Sequence, residues 1–177
     1  MKKAVTRAVG ALWIAVFAAL SSGGAMAGTE SPAAAWLGRL KALEGEWKGT
    51  TAKGKPATLS YKTIAGGTTV MEVFTFGEGQ GAMSMYTMYH LDGDRLMLTH
   101  YCVSNNQPRM RAQLSSEEPN VLRFSFLDAT NLAKPEDGHM YKAVLQILDD
   151  SHIANEWTYR KDGKDAFTEA VRYERMK

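Results

Sequence analysis

The sequence predicts an all-β fold: an up-and-down antiparallel β-barrel of about nine or ten strands, preceded by one short helix. From Glu46 onward, short runs of β-branched and aromatic residues alternate with clusters of Gly, Asp, Asn and Pro, a pattern typical of strands and turns. Most connections are too short for a crossover helix, so neighbouring strands should be antiparallel. A flat meander of this size would leave exposed edges, and closure into a barrel removes them.

The helix is predicted at the start of the domain. Ser31 can cap the helix N-terminus, and Pro32 suits the first helical position. Apolar residues then follow at helical spacing, at Trp36, Leu37, Leu40 and Leu43. The helix should end near Gly45.

Strands are predicted at residues 46–53, 57–64, 68–76, 82–91, 94–103, 109–115, 120–127, 139–149, 152–160 and 166–175. Asp92-Gly93 lies between two of these runs and predicts a two-residue hairpin turn. Asp162-Gly163 predicts a similar turn between the last two strands.

The hairpin around Asp92-Gly93 carries the candidate functional residues. A two-residue turn at this point pairs Met85 with His100 and Met83 with Cys102. We expect the face that these residues share to line the barrel interior, because it carries the more continuous apolar set. Six side chains on this face are candidate ligand-binding residues: Met83, Met85, Tyr89, Leu98, His100 and Cys102.

Three further polar residues in predicted strands are candidate site residues. Glu156 should point outward, because strand alternation turns Asn155 and Trp157 inward. His139 and His152 begin their strands, and we expect both to lie solvated at the rim of the barrel.

Residues 1–27 have the order of a secretory signal peptide, with three basic residues, an apolar run over residues 8–20, and a final Ala25-Met26-Ala27. We expect cleavage after Ala27 and export of residues 28–177, as a single barrel domain, to a periplasm or the medium. The apolar run is shorter than the roughly 20 residues that a spanning helix needs, and no later stretch approaches that length. No membrane span is therefore expected in the mature chain.

The charge of the chain argues against nucleic acid as a partner. The formal net charge is +2, but three basic and no acidic residues lie within residues 1–27, so the mature chain carries −1. It also lacks the clustered Lys and Arg residues that bind phosphates. Cys102 is the only cysteine, so no intramolecular disulfide can form. We expect a monomer stabilised by its apolar core.

Gly45 and Trp47, directly after the predicted helix, resemble the Gly-x-Trp opening strand of lipocalin-type, or calycin, barrels. The resemblance implies that Trp47 closes one end of the barrel, and that an arginine of the last strand stacks on it. Arg172 or Arg175 is placed for that role, and Arg172 is our candidate. The structural residues implied are thus Gly45, Trp47 and Arg172.

The chain also resembles a group of uncharacterised bacterial secreted lipocalin-like proteins. The segments that carry this resemblance are residues 89–96, 99–102, 106–110 and 156–158. It extends over nearly the whole mature chain, and it implies a shape without naming a reaction.

The leading functional hypothesis is a binding protein that holds a small, largely apolar ligand inside the barrel. One alternative is a soft-metal site for copper, because two thioethers, a thiol and an imidazole share one face of the hairpin. Haem binding is another, because Gly45-x-Trp47-x-Gly49 resembles nitrobindin-like barrels, although Thr50 replaces a further glycine of that group. A third alternative is an enzyme that uses the pocket histidine His100, and a fourth is an interaction surface formed by Tyr86 and Tyr101 on the outer face. The sequence identifies no cofactor.

Overall fold

Ten antiparallel strands close into an up-and-down barrel, as the sequence predicts. The structure is a computed structural model that describes residues 30–77 and 79–177; the predicted signal peptide lies outside the described residues. One α-helix, α1, spans Pro32–Ala42. The strands are β1 (Gly45–Thr50), β2 (Pro56–Ile64), β3 (Thr69–Phe76), β4 (Met83–Asp92), β5 (Arg95–Tyr101), β6 (Gln107–Gln113), β7 (Val121–Thr130), β8 (His139–Ile147), β9 (His152–Lys161) and β10 (Lys164–Arg175). Short 3-10 helices lie at Ala65–Gly67 and Gly79–Gly81.

Each strand pairs with its neighbours in sequence, and β1 closes the barrel by pairing with β10. The closing pairs run from Trp47 opposite Arg175 to Thr50 opposite Arg172. The odd-numbered strands from β1 to β9 therefore begin at one end of the barrel, and the even-numbered strands begin at the other.

Helix α1 covers the end of the barrel at which β1 begins. Ser31 caps it, with its hydroxyl oxygen accepting a hydrogen bond from Ala34 N at 3.2 Å. The helix packs against β2 to β5 through its buried face, formed by Ala33, Trp36, Leu37 and Leu40. Within the part of the chain that the structure describes, no helix has the length and apolar character of a membrane span.

Trp47 closes the same end from the inside, as the calycin resemblance implies. Its side chain is fully buried, and its indole Nε1 donates a hydrogen bond to Leu43 O at 2.9 Å. The arginine that stacks on the ring is Arg175, with its guanidinium carbon 4.2 Å from the ring centroid. The candidate Arg172 is wrong: along β10, Val171 and Tyr173 point inward, so Arg172 points outward and is exposed.

Arg175 also joins the last strand to the end of the helix. Its two terminal nitrogens donate to Glu44 O at 2.8 Å and to Ala42 O at 3.1 Å. Gly45 leaves room for this contact: its φ is +127°, and a Cβ at this position would lie 3.3 Å from Arg175 Nη1. A side chain at residue 45 would therefore be strained and would crowd the guanidinium.

We expect Arg175→Ala to lower the free energy of unfolding by about 1–2 kcal/mol, because it removes the cation-π contact and the donors to the backbone oxygens of Ala42 and Glu44. The matched control is Arg172→Ala, which removes an outward arginine three residues away and should change stability by less than about 0.5 kcal/mol. Urea denaturation of both variants measures the difference. Equal losses would contradict the assigned role of Arg175.

In the central hairpin, the pairing of β4 with β5 is displaced by two residues from the predicted pairing. Asp92 pairs with Arg95, so the turn consists of Gly93-Asp94 instead of Asp92-Gly93. Gly93 has φ +61°, and it occupies the first central position, where a type II′ turn requires glycine. His100 therefore lies opposite Thr87 instead of Met85. Because the displacement is even, every side chain keeps its predicted face.

Candidate functional site

A cavity of about 540 Å³ lies inside the barrel, between the packed end under α1 and the opposite end. We call the opposite end the mouth; there the cavity wall includes the exposed residues Lys53, Lys55, Val103, Ser104 and Phe167. Most of the remaining wall is apolar or aromatic: Leu59, Phe74, Phe76, Met85, Met140, Trp157, Tyr159, Val171 and Tyr173.

Three of the six candidate ligand-binding residues, Met85, His100 and Cys102, line this cavity. Tyr89 and Leu98 also point inward, but they are buried in the packed core and do not form part of the wall. The prediction that Tyr89 and Leu98 point inward is correct, but they lie along the barrel axis in the packed core and not beside the cavity.

The predicted interior position of Met83 is wrong. Its side chain is 48% exposed and does not line the cavity. Met83 is the first residue of β4, and it pairs with Phe76 of β3. On its other side β5 ends at Tyr101, which pairs with Tyr86, so no β5 residue covers Met83.

The deepest part of the cavity is polar, although its walls are not. We call this part the floor and define it by Glu72, His100 and Asn155, which all line the cavity and are 1%, 3% and 6% exposed. They come from β3, β5 and β9, so only closure of the barrel brings them together.

Glu72 accepts two phenolic hydrogen bonds at one oxygen. Tyr61 Oη donates to its Oε2 at 2.6 Å, and Tyr89 Oη donates to the same atom at 2.9 Å. Burial raises the pKa of Glu72, and hydrogen bonds from Tyr61 and Tyr89 oppose that rise because they stabilise the carboxylate. Burial likewise raises the pKa of both tyrosines well above the usual value, so both remain hydrogen-bond donors.

His100 is held by a neighbouring hydroxyl and an aromatic ring. Its Nδ1 lies 3.0 Å from Thr87 Oγ1, and its ring centroid lies 4.5 Å from that of Trp157. Burial lowers the pKa of His100 to about 4, so the imidazole is neutral near pH 7.

Two floor atoms have no hydrogen-bond partner among the described residues: His100 Nε2 and Asn155 Oδ1. Buried polar atoms in folded proteins are nearly always paired with protein, water or ligand. An unpaired nitrogen and an unpaired oxygen at the end of an apolar cavity are therefore candidate contacts for a bound molecule.

Glu72 and Asn155 were not recognised as site residues from the sequence, although a signal for Glu72 was present. It is the one charged residue within the apolar run from Val70 to Phe74. Strand alternation from the inward Val70 turns it into the barrel.

The cavity sulfurs lie close to each other. Cys102 Sγ is 3.9 Å from Met85 Sδ, both residues are buried, and the two side chains pack as neighbours across β4 and the end of β5. Met83, one of the four side chains predicted to bind copper, is exposed and does not line the cavity. Within residues 30–77 and 79–177, no three His, Cys, Asp or Glu side chains are grouped as a metal site.

The structure places the other three candidate polar residues, Glu156, His139 and His152, in different surroundings. Glu156 is exposed and Asn155 is buried, so the outward orientation of Glu156 is confirmed. The rim position of His139 is wrong: it is 2% exposed, because Phe126 stacks against it at 4.4 Å and its Nδ1 contacts Asp137 O at 2.7 Å. His152 is partly exposed and contacts Asp149.

The outer face of the hairpin carries exposed aromatic side chains. Tyr86 and Tyr101 are 42% and 47% exposed and pair across β4 and β5. This arrangement agrees with the predicted outward orientation of both residues.

No protein-family model matches the sequence, and no curated protein matches it. Among solved structures, the chain is similar to a protein of unknown function from the DUF3598 family of Nostoc punctiforme, with 13% sequence identity and a TM-score of 0.51. The match covers 77% of this chain and 49% of that one, so this chain spans about half the length of that protein. Identity this low shows the fold alone, which agrees with the expected β-barrel.

Two further solved structures are similar. EF1p2_mFAP2b bound to DFHBI has 12% identity and a TM-score of 0.35 over 79% of this chain and 97% of that chain. A redesigned β-barrel, mFAP1, bound to DFHBI has 11% identity and a TM-score of 0.38 over 77% and 97%.

Proposed function

We propose that this protein binds a small, largely apolar molecule inside its barrel. The observation that carries the proposal is the cavity of about 540 Å³, with its apolar wall and its polar floor. Ligand pockets typically have volumes of roughly 300–1,000 Å³, and they combine an apolar lining with a few polar groups that orient the ligand.

The wall suits a flat or elongated apolar body. Phe74 and Phe76 stack on each other with centroids 5.3 Å apart, and Tyr159 and Phe167 stack at 5.0 Å. These rings and Trp157 offer aromatic surface between the mouth and the floor. Burial of an apolar ligand against such surface is favourable by roughly 25 cal/mol per Å².

We also propose that the protein acts outside the cytoplasm, after removal of residues 1–27, as a member of the bacterial secreted lipocalin-like group that it resembles. The order of basic, apolar and small residues in that segment supports export. Amino-terminal sequencing of the exported protein tests this proposal, and a chain that begins far from Gly28 would contradict it.

Binding can be tested with Nile red, a neutral apolar dye whose fluorescence rises in apolar surroundings. We expect saturable binding to the wild-type protein. Met85→Trp fills part of the cavity, so it should weaken the affinity about ten-fold or more, equivalent to about 1.4 kcal/mol.

Met88→Trp is the matched control, because Met88 lies on the same strand but on the outer face. It should leave the affinity unchanged. Equal affinities of wild type and Met85→Trp would place the dye elsewhere and contradict binding in the cavity.

A further inference from the structure

The floor of the cavity presents acceptors. Asn155 Oδ1 is an acceptor without a partner among the described residues, and Glu72 is an acceptor when ionised. A ligand group that reaches the floor must therefore supply hydrogen-bond donors if these atoms are to be paired.

His100 presents a third acceptor through the tautomer that its neighbours select. Tyr61, Tyr89, Asn155 and the Thr87 hydroxyl all lower the pKa of Glu72, and we infer from this that the Thr87 hydroxyl donates toward the carboxyl group. Thr87 Oγ1 is then the acceptor for His100 Nδ1–H at 3.0 Å. The remaining ring nitrogen, Nε2, consequently carries a lone pair and no proton.

Among the described residues that line the cavity, none at the floor has a cationic side chain. His100 is neutral near pH 7, and the titratable groups that contribute to the environment of Glu72 are tyrosines: Tyr61, Tyr89 and Tyr173. Lys53 and Lys55 lie at the mouth, where they are exposed to water. A buried charge costs free energy unless it is both hydrogen-bonded and paired with an opposite charge, so a cation bound at the floor would stabilise the ionised form of Glu72.

We propose that the ligand is an amphipathic amine, whose ammonium group binds Glu72, Asn155 Oδ1 and His100 Nε2 while its apolar body lies along the aromatic wall. This inference rests on the proposed function. An ammonium group supplies one positive charge and up to about three N–H donors, which matches one carboxylate and two further acceptors. An alcohol supplies one donor and no charge, and a carboxylate supplies a second negative charge.

Three probes with the same apolar body test the inference: naphthylmethylamine, naphthylmethanol and naphthoate. Isothermal titration calorimetry of the wild-type protein at pH 7 should show the amine binding at least ten-fold more tightly than the alcohol, and naphthoate binding most weakly. Equal affinities of amine and alcohol, or tightest binding of naphthoate, would overturn the inference. This comparison needs no variant, so it decides the question even if a floor variant fails to fold.

Glu72→Gln locates the preference. It keeps the size of the side chain and removes the charge, so the ratio of amine to alcohol affinity should fall to about one-fold while the alcohol affinity stays within three-fold. Glu169→Gln tests the second carboxylate that lines the cavity, which accepts a hydrogen bond from Ala52 N next to Lys53 at the mouth. Loss of the preference in Glu169→Gln, with its retention in Glu72→Gln, would overturn the assignment to the floor.

The same measurements separate this inference from the proposed function. Binding of Nile red without a preference for the amine would remove the amine class and leave the binding function. Failure of Nile red and of all three naphthyl probes to bind would remove both proposals.

Discussion

Replacement of Trp47 by alanine should lower the free energy of unfolding by about 3–5 kcal/mol, the usual cost of deleting a buried tryptophan. The side chain is fully buried, and it contributes more than volume. It receives the guanidinium of Arg175 on its ring, and its Nε1 donates to Leu43 O at the end of the helix. Loss of the ring therefore leaves a cavity where helix, first strand and last strand meet.

Urea denaturation of wild type and Trp47→Ala measures this loss. Trp47→Phe is the informative control, because it keeps an aromatic ring under Arg175 but removes the donor to Leu43 O. We expect it to cost less than Trp47→Ala, because much of the buried volume remains. A loss below about 1 kcal/mol in Trp47→Ala would show that Trp47 does not close the barrel in the way that the contacts indicate.

The helix and the strands were predictable because their signals are local, whereas the barrel was predicted from the number of strands and the edges that a flat sheet would expose. Ser31 and Pro32 mark the start of the helix, and glycine, aspartate and proline mark the turns between strands. The one displaced turn shows how such a signal works. The prediction placed Gly93 second in a turn formed by Asp92-Gly93, whereas Gly93 is the first central residue of the observed turn. The partner of each β5 residue on β4 is therefore two residues further along the chain than predicted, and every side chain keeps its face.

Strand alternation also identifies the arginine that stacks on Trp47 at the closed end of the barrel. Val171 and Tyr173 point inward along β10, and Arg175 continues that series, whereas Arg172 belongs to the outward series with Glu174. The sequence could therefore have selected Arg175 over Arg172. The pairing of β1 with β10 also favours Arg175, because Arg175 lies opposite Trp47 and Arg172 lies opposite Thr50.

The candidate site was only partly predictable, because alternation gives the face of a residue but not its depth. Met85 and Met83 share a face, yet one lines the cavity and the other is exposed at the strand end. The floor was missed for a different reason. Glu72, His100 and Asn155 are far apart in sequence, and their meeting depends on the closed barrel, which no local pattern describes.

Acidification should destabilise the protein through His100. Burial lowers its pKa to about 4 in the folded chain, from 6.5 in an unperturbed histidine. Between these two values the unfolded chain binds a proton that the folded chain does not bind. Stability therefore falls as the pH decreases from about 6.5 to about 4, by up to about 3 kcal/mol in total, and this contribution does not fall further below pH 4.

His100→Phe and His100→Gln should each remove this pH dependence, because neither side chain titrates in this range. Urea denaturation at several values between pH 7 and pH 4 gives the slope for each variant. Trp157→Phe is the control: it alters the ring that stacks on His100 but keeps the imidazole, so it should retain a fall in stability over the same range.

Glu72 contributes with the opposite sign, and this determines how the curves must be compared. Burial raises its pKa, so the folded chain takes up that proton at a higher pH than the unfolded chain does, and acidification relieves the cost of a buried charge. Wild type and His100→Phe both contain Glu72, so the difference between their curves isolates the histidine. That difference should change by about 3 kcal/mol between pH 7 and pH 4. Parallel curves would mean that folding does not lower the pKa of His100, and they would contradict its burial in a neutral state.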